Sequence, residues 1–302
     1  METNILLENG TNELEVLEFN VDDQCYGINV AKIREIIPYQ SVTSVPNSHP
    51  SVEGIFMPRD KLITAIDLKN CLGKGHADEG GMFIITNFNK LDIAFHVKSV
   101  VGIHRISWSE IIKPNETINS TEESVSTGII KFDERLITIL DFEKIVSDIN
   151  PETGLKVADI TQLGPRERNA VPIMIAEDSV LLNKMIVESL KKAGYSNVVS
   201  TENGQQAWDT IESCIEKNTL GEHVQLLITD IEMPVMDGHR LTKLMKTHNE
   251  TKDIPVIIFS SLVNEEMRKK GEALGADAQL SKPEIGNLVK MVDKLVNLHG
   301  NI

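Results

Sequence analysis

The chain is poor in the features that mark several function classes. Its three cysteines, Cys25, Cys71 and Cys214, are odd in number, widely separated and never in a CxxC pair. That argues against a disulfide framework or a structural zinc site, and the three read as buried thiols in a reducing compartment. Positive charge is also scarce, with a formal net charge of −15 over 302 residues. The first 150 residues carry 13 basic against 23 acidic side chains, and the remainder 17 against 22. Neither half offers the basic footprint of a nucleic-acid or anionic-membrane binder. No apolar run approaches the ~18 residues of a membrane span, and the opening METNILLENGTNELEV lacks the basic and apolar regions of a secretory leader. A soluble, cytoplasmic protein is expected. The N-terminal half has no glycine-rich phosphate loop, no paired histidines and no setting for a serine or cysteine nucleophile, so it reads as a binding module.

What is present is globular. Apolar residues make up 41% of the chain and charged residues 25%, enough to build a core, and the length favours two domains. The stretch NPETGLKVADITQLGPRERNA at 150–170 is polar, holds Pro151 and Pro165, and has no sustained apolar period. It is the expected linker. The expected layout is a tail at 1–13, a domain at 14–149, the linker at 150–170 and a second domain at 171–302.

The first domain patterns as short strands. Leu17, Phe19 and Val21 alternate with Glu18 and Asn20 before the turn residues Asp22 and Asp23, and one short helix is expected around 30–37. GIFMPRDKLITAIDL at 54–68 returns as GIIKFDERLITILDF at 128–142. Each copy reads as strand, charged turn, strand and a closing aspartate. Two related small β subdomains are the simplest architecture, and generic hairpin sequence is the plainer alternative.

After the linker the period changes. Apolar strands at 173–176, 198–199, 226–229, 256–259 and 278–280 alternate with helical segments at 181–193, 205–215, 239–247, 265–273 and 285–298. Five β-then-α units predict an α/β domain with a parallel, doubly wound sheet covered on both faces. In such a sheet the functional crevice lies at the carboxyl ends of the strands. Those ends carry Glu177 and Asp178, then Asp230, then Ser260 and Ser261, then Ser281, Lys282 and Pro283. Two carboxylates ~4 Å apart repel by roughly 4 kcal/mol at an effective dielectric near 20, so an acidic trio needs a cation. Hard oxygen ligands favour Mg²⁺. Lys282, Ser260 and the metal could hold the oxygens of a transferring phosphoryl group, with Asp230 as nucleophile. Taken singly, each residue has a plain alternative as a helix cap, solvated lysine or turn serine.

These residues resemble the receiver domain of response regulators across residues 171–298. The resemblance is carried by AEDS at 176–179, LLITDIEMPVMDG at 226–238, PVIIFSS at 255–261, GADA at 275–278 and SKP at 281–283. It implies a flavodoxin-like fold with Asp230 as phosphoacceptor. It also implies that Asp178 and Asp230 ligate Mg²⁺ with the backbone carbonyl of Glu232, that Glu177 acts through water, and that Lys282 and Ser260 contact the phosphoryl group. A cis peptide before Pro283 is expected. The chain departs from the pattern at Gln279, the switch position where such receivers carry Tyr or Phe, and has Glu232 and Leu262 beside the reaction centre. The ordinary ring rotation is therefore not expected.

Residues 14–148 resemble the CheW coupling domain through CYGINVAKIREII at 25–37, VPNSHPSVEGIFMPRDKLITAIDL at 45–68 and the second repeat copy. That resemblance implies a mainly β fold of two SH3-like barrels. It places Glu35 in the short helix and Arg59 in the hairpin turn as partner-binding residues. The family's turn is commonly Arg-Gly, whereas Asp60 follows Arg59 here. A CheW-like domain followed by a receiver is the arrangement of the CheV chemotaxis coupling proteins. It implies a non-enzymatic, phosphoacceptor adaptor whose partners are the histidine kinase CheA, chemoreceptor cytoplasmic tips and CheW, at membrane-associated receptor arrays. No nucleic acid and no membrane insertion are expected, and no basic output region follows residue 298. A phosphate sink draining CheA and an aspartate-nucleophile phosphatase are the alternatives. The phosphatase class places its nucleophile in an Asp-x-Asp run, whereas Ile231 and Glu232 follow Asp230.

Overall fold

The structure is a computed structural model that describes residues 12–88, 91–112, 125–132, 134–150, 168–261, 265–282 and 285–299. The chain divides into two compact units, one of Leu14–Gly154 and one of Leu155–Ile302 with Met1–Glu13.

The first unit contains β1 (Glu13–Val21), β2 (Gln24–Asn29), β3 (Ile33–Pro38), β4 (Val52–Phe56), β5 (Ile63–Asp67), α1 (Leu68–Cys71), β6 (Met82–Phe88), β7 (Leu91–Val97), β8 (Ser99–Ser107), β9 (Ser126–Phe132), β10 (Arg135–Leu140) and α2 (Phe142–Ile149). They form two five-stranded sheets, ordered β8-β1-β2-β10-β9 and β3-β6-β7-β5-β4. The repeat explains this likeness. Its two copies form the hairpins β4–β5 and β9–β10, each an antiparallel pair at one edge of its sheet. The inner strand of each hairpin runs parallel to its neighbour, β5 to β7 and β10 to β2. The closing aspartates of the repeat, Asp67 and Asp141, are helix caps. Their side chains accept from Asn70 N and Lys144 N at 3.0 and 2.9 Å, starting α1 and α2.

The principal core of this unit lies between the sheets, where Phe19, Tyr26 and Ile28 meet Ile66, Ile84 and Phe95, with Phe142 of α2 among them. The helix expected around 30–37 is not formed. Only Val30–Lys32 makes a turn of 3-10 helix, and Ile33–Pro38 is strand β3, antiparallel to β6. The β-branched residues Ile33, Ile36 and Ile37 favour this extended state, and an available sheet edge overrode the local helical spacing. The thiols are also less enclosed than expected, since Cys25 and Cys71 are half-buried and only Cys214 is buried.

The second unit contains β11 (Ile173–Ala176), α3 (Val180–Lys192), β12 (Val198–Thr201), α4 (Gly204–Glu216), α5 (Leu220–His223), β13 (Leu226–Thr229), α6 (Gly238–Thr247), β14 (Val256–Ser260), α7 (Glu265–Ala273), β15 (Ala278–Ser281) and α8 (Ile285–His299). All strand pairs are parallel, in the order β12-β11-β13-β14-β15. Alternation along β11 separates the two cores. Ile173 and Ile175 pack with Leu190 of α3 and Val292 of α8, and Met174 and Ala176 pack with Ala207 of α4 and Leu241 of α6. The chain leaves β11 and β13 in opposite directions along the sheet, so a crevice opens between their carboxyl ends. The one-turn helix α5 has no counterpart in the expected elements, being too short for a periodic signal. Among the described residues no helix is long and apolar enough to cross a membrane.

Candidate functional site

The crevice between β11 and β13 collects the acidic residues. Glu177, Asp178 and Asp230 each offer an oxygen, and these atoms lie within 4.8 Å of one another. Backbone pairing places them: Asp230 N donates to Ala176 O at 2.9 Å and Glu177 N to Thr201 O at 3.1 Å, extending the sheet by one step beyond each strand. Behind Asp230 the support is tight. Thr229 Oγ1 donates to Asp230 O at 2.8 Å, and Gly238 N donates to Ile231 O at 3.0 Å, closing the loop back onto the strand. The Asp237 side chain accepts from Arg240 N and caps α6 there.

Lys282 reaches into the crevice from the end of β15. Its Nζ donates to Asp230 Oδ2 at 2.7 Å and to Glu177 Oε1 at 3.2 Å. Ile231 N donates to the other oxygen of Asp230, Oδ1, at 2.6 Å, so both oxygens of that carboxylate are oriented. Glu177 is only 2% exposed. Burial pushes its carboxyl well above the usual range, the Asp230 and Asp178 charges act in the same direction, and Lys282 opposes them. Glu177 Oε2 lies 3.1 Å from the same ammonium and, among the described residues, has no hydrogen-bond donor.

Among the described residues, three carboxylates face one ammonium, a formal excess of two negative charges on hard oxygens, and the buried Glu177 Oε2 has no hydrogen-bond donor there. That donor set fits a divalent hard cation such as Mg²⁺. Ser260 ends β14, is fully buried, and pairs with Ser281; its carbonyl accepts from Lys282 N at 3.2 Å, which sets the serine and the lysine side by side. Glu232 is half-buried in the segment between β13 and α6. Pro283 and Leu262 lie outside the described residues. Gln279 faces α7, with Nε2 donating to Arg268 O at 2.7 Å. Thr229 and Gly238 belong to the motif at 226–238, but the sequence assigned neither of them this supporting role.

In the first unit, Glu35 lies on strand β3 rather than a helix, and Arg59 in the β4–β5 turn meets it, Nη2 to Oε2 at 3.2 Å. The turn does not need the glycine of the common Arg-Gly pattern: Arg59 and Asp60 themselves adopt left-handed backbone, with φ of 50° and 63°. Asp92 pairs with Arg34 and Lys61, the chain neighbours of Glu35 and Asp60.

The description "CheW-like domain" fits residues 15–150 and "Response regulator receiver domain" fits residues 173–293. The chemotaxis protein CheV3 of Helicobacter pylori is 30% identical over 302 residues, covering 94% of this chain and 95% of that protein. The chain belongs to the CheV family. A second CheV protein of that organism, CheV2, is 30% identical over 312 residues, covering 95% of this chain and 96% of its own. The chemotaxis protein CheW of Thermotoga maritima is 31% identical over 151 residues, matching 49% of this chain and 98% of that one. Among solved structures, the scaffolding protein TtCheW from Thermoanaerobacter tengcongensis aligns with 25% identity and a TM-score of 0.39, over 42% of this chain and 83% of that one. As a CheV-type protein, the chain is a chemotaxis coupling adaptor that carries a receiver domain.

Proposed function

We propose that this CheV-type adaptor couples chemoreceptors to the histidine kinase CheA through its first unit, and that Asp230 accepts a phosphoryl group from a phosphohistidine of CheA. The observation that carries the reading is the Asp230–Lys282 contact at 2.7 Å within the acidic crevice. An Asp230 oxygen forms the new bond to phosphorus while the histidine nitrogen–phosphorus bond breaks and the imidazole takes up a proton. Lys282 orients the carboxylate and is placed to meet phosphoryl charge, and Ser260 supplies a neighbouring hydroxyl. Glu177, Asp178, Asp230 and the Glu232 carbonyl would hold Mg²⁺. When bound, the metal supplies positive charge against the phosphoryl oxygens.

Glu35 and Arg59 form the expected partner-facing pair on the first unit. The added charge of phosphorylation then biases coupling or adaptation at receptor arrays on the cytoplasmic side. Incubation with phosphorylated CheA and Mg²⁺ tests the assignment. Wild type takes up label and Asp230→Asn does not; an unlabelled wild type refutes it. Coupling left intact by Asp230→Asn, with adaptation unchanged and another regulator's phosphate lifetime altered, identifies a phosphate sink instead.

A further inference from the structure

Gln279 occupies the position where the receivers this domain resembles carry Tyr or Phe, and its surroundings give it a different task. Alternation along β15 turns Ala278 and Leu280 toward the core shared with Ile257, Phe259 and α8. Gln279 turns the other way, onto α7, where Nε2 donates to the backbone carbonyl of Arg268 at 2.7 Å. A helical carbonyl has a second lone pair, so this bond adds to the helix's own ladder. The amide fits because residue 271 has no side chain: a Cβ on Gly271 would lie 2.5 Å from Gln279 Oε1 and 2.8 Å from Nε2. Gly271 is buried inside α7, where glycine costs ~1 kcal/mol relative to alanine. The notch is an expensive local choice with an identifiable occupant.

The latch is also placed between two parts of the site. Lys282, three residues beyond Gln279, bonds to Asp230, and Ser260 ends the strand paired with β15 through Ile258 and Gln279. Resting on the phosphorylation of Asp230 proposed above, we propose that Gln279 couples the phosphorylation site to α7 by latching the helix at the Gly271 notch in the resting state. Phosphorylation, by drawing Ser260 and Lys282 toward the phosphoryl group, releases it. Coupling of this kind is reciprocal, so a latch that favours the resting state also opposes phosphorylation.

Two variants test the latch in the full chain by different routes. Gln279→Met keeps the length and removes the donor. Gly271→Ala keeps Gln279 but fills the notch, and the atoms it displaces are the free end of a flexible side chain, so the helix still folds. Hydrogen exchange over 265–273 is measured with and without acetyl phosphate and Mg²⁺, with Asp230 labelling followed in the same samples. Wild-type α7 exchanges about fivefold faster once phosphorylated, the scale of one lost hydrogen bond. Both variants exchange at the faster rate already, respond no further, and label Asp230 severalfold faster. A merely structural glutamine would leave the response to phosphorylation intact. Variants that keep wild-type protection, or that respond as wild type does, overturn the latch, as does labelled wild type with unchanged α7 exchange. Absence of label in wild type overturns the phosphorylation reading itself and the coupling with it.

Discussion

A Cβ placed on Gly238 would lie 1.8 Å from the carbonyl oxygen of Asp230. The first turn of α6 therefore rests on the backbone of the proposed phosphoacceptor, with no room for a side chain between them. Because the obstructing atom is strand-end backbone, neither side can yield cheaply. Gly238→Ala is expected to destabilise the second unit by about 3 kcal/mol, at the upper end of overpacking effects. Urea denaturation followed by Trp208 fluorescence measures it, and an unchanged midpoint would contradict the close packing.

Lys282 is the cation in hydrogen-bonding contact with both Glu177 and Asp230. Lys282→Met leaves two buried carboxylates facing each other, and breaking a buried pair in this way costs about 3–5 kcal/mol. Mg²⁺ should recover part of that loss. The expected result is a lower Tm than wild type in EDTA and a larger upward shift on adding Mg²⁺. An equal Mg²⁺ shift in the two proteins would argue against a metal at this trio.

Two buried histidines should give opposite pH signatures. Burial alone would depress His96, but its Nδ1 lies 2.9 Å from Glu53 Oε2 and its Nε2 faces the Gly80 carbonyl, and together these raise it above 6.5. Its contribution is full below about pH 6.5 and is lost as pH rises through the raised folded-state value. Against His96→Gln, the wild-type advantage should shrink from neutral pH upward. His239 is the reverse case: burial, then the Lys270 charge, lowers it to about 3, and its Nε2 has no hydrogen-bond partner among the described residues. Only the unfolded chain takes up its proton between pH 6.5 and 3, so stability falls with acid by about 1.4 kcal/mol per pH unit. His239→Met should remove that component of the acid slope. Denaturation midpoints across pH 4–9 read both effects.

Arg59 is 83% exposed in its pair with Glu35, so the bond itself contributes little, on the order of 0–1 kcal/mol. Arg59→Ala should leave the denaturation midpoint nearly unchanged while weakening binding to CheA or receptor tips at least severalfold. Unchanged affinity in a pull-down titration would remove the pair from the partner surface.

Much of the second unit was legible because its signals are local. Strand runs such as Ile173–Ala176 and Leu226–Thr229 match the observed boundaries, since a strand buried on both faces must be continuously apolar. The helix expected around 30–37 failed for the opposite reason. Ile33–Pro38 is strand because β6 offers it a partner, and a partner distant in sequence leaves no mark in a short window.

The sequence by itself determined that two hairpin repeats and five β-then-α units would form, and that acidic residues, a serine and a lysine would stand at strand ends, because periodicity and turn chemistry are properties of neighbours. Only the tertiary structure decided that Lys282 bridges Asp230 and Glu177, that Glu35 meets Arg59 from a strand, and that Gln279 lies in the notch of Gly271. Each of those contacts joins residues from separate elements, and their distances are set by how the sheets and helices pack.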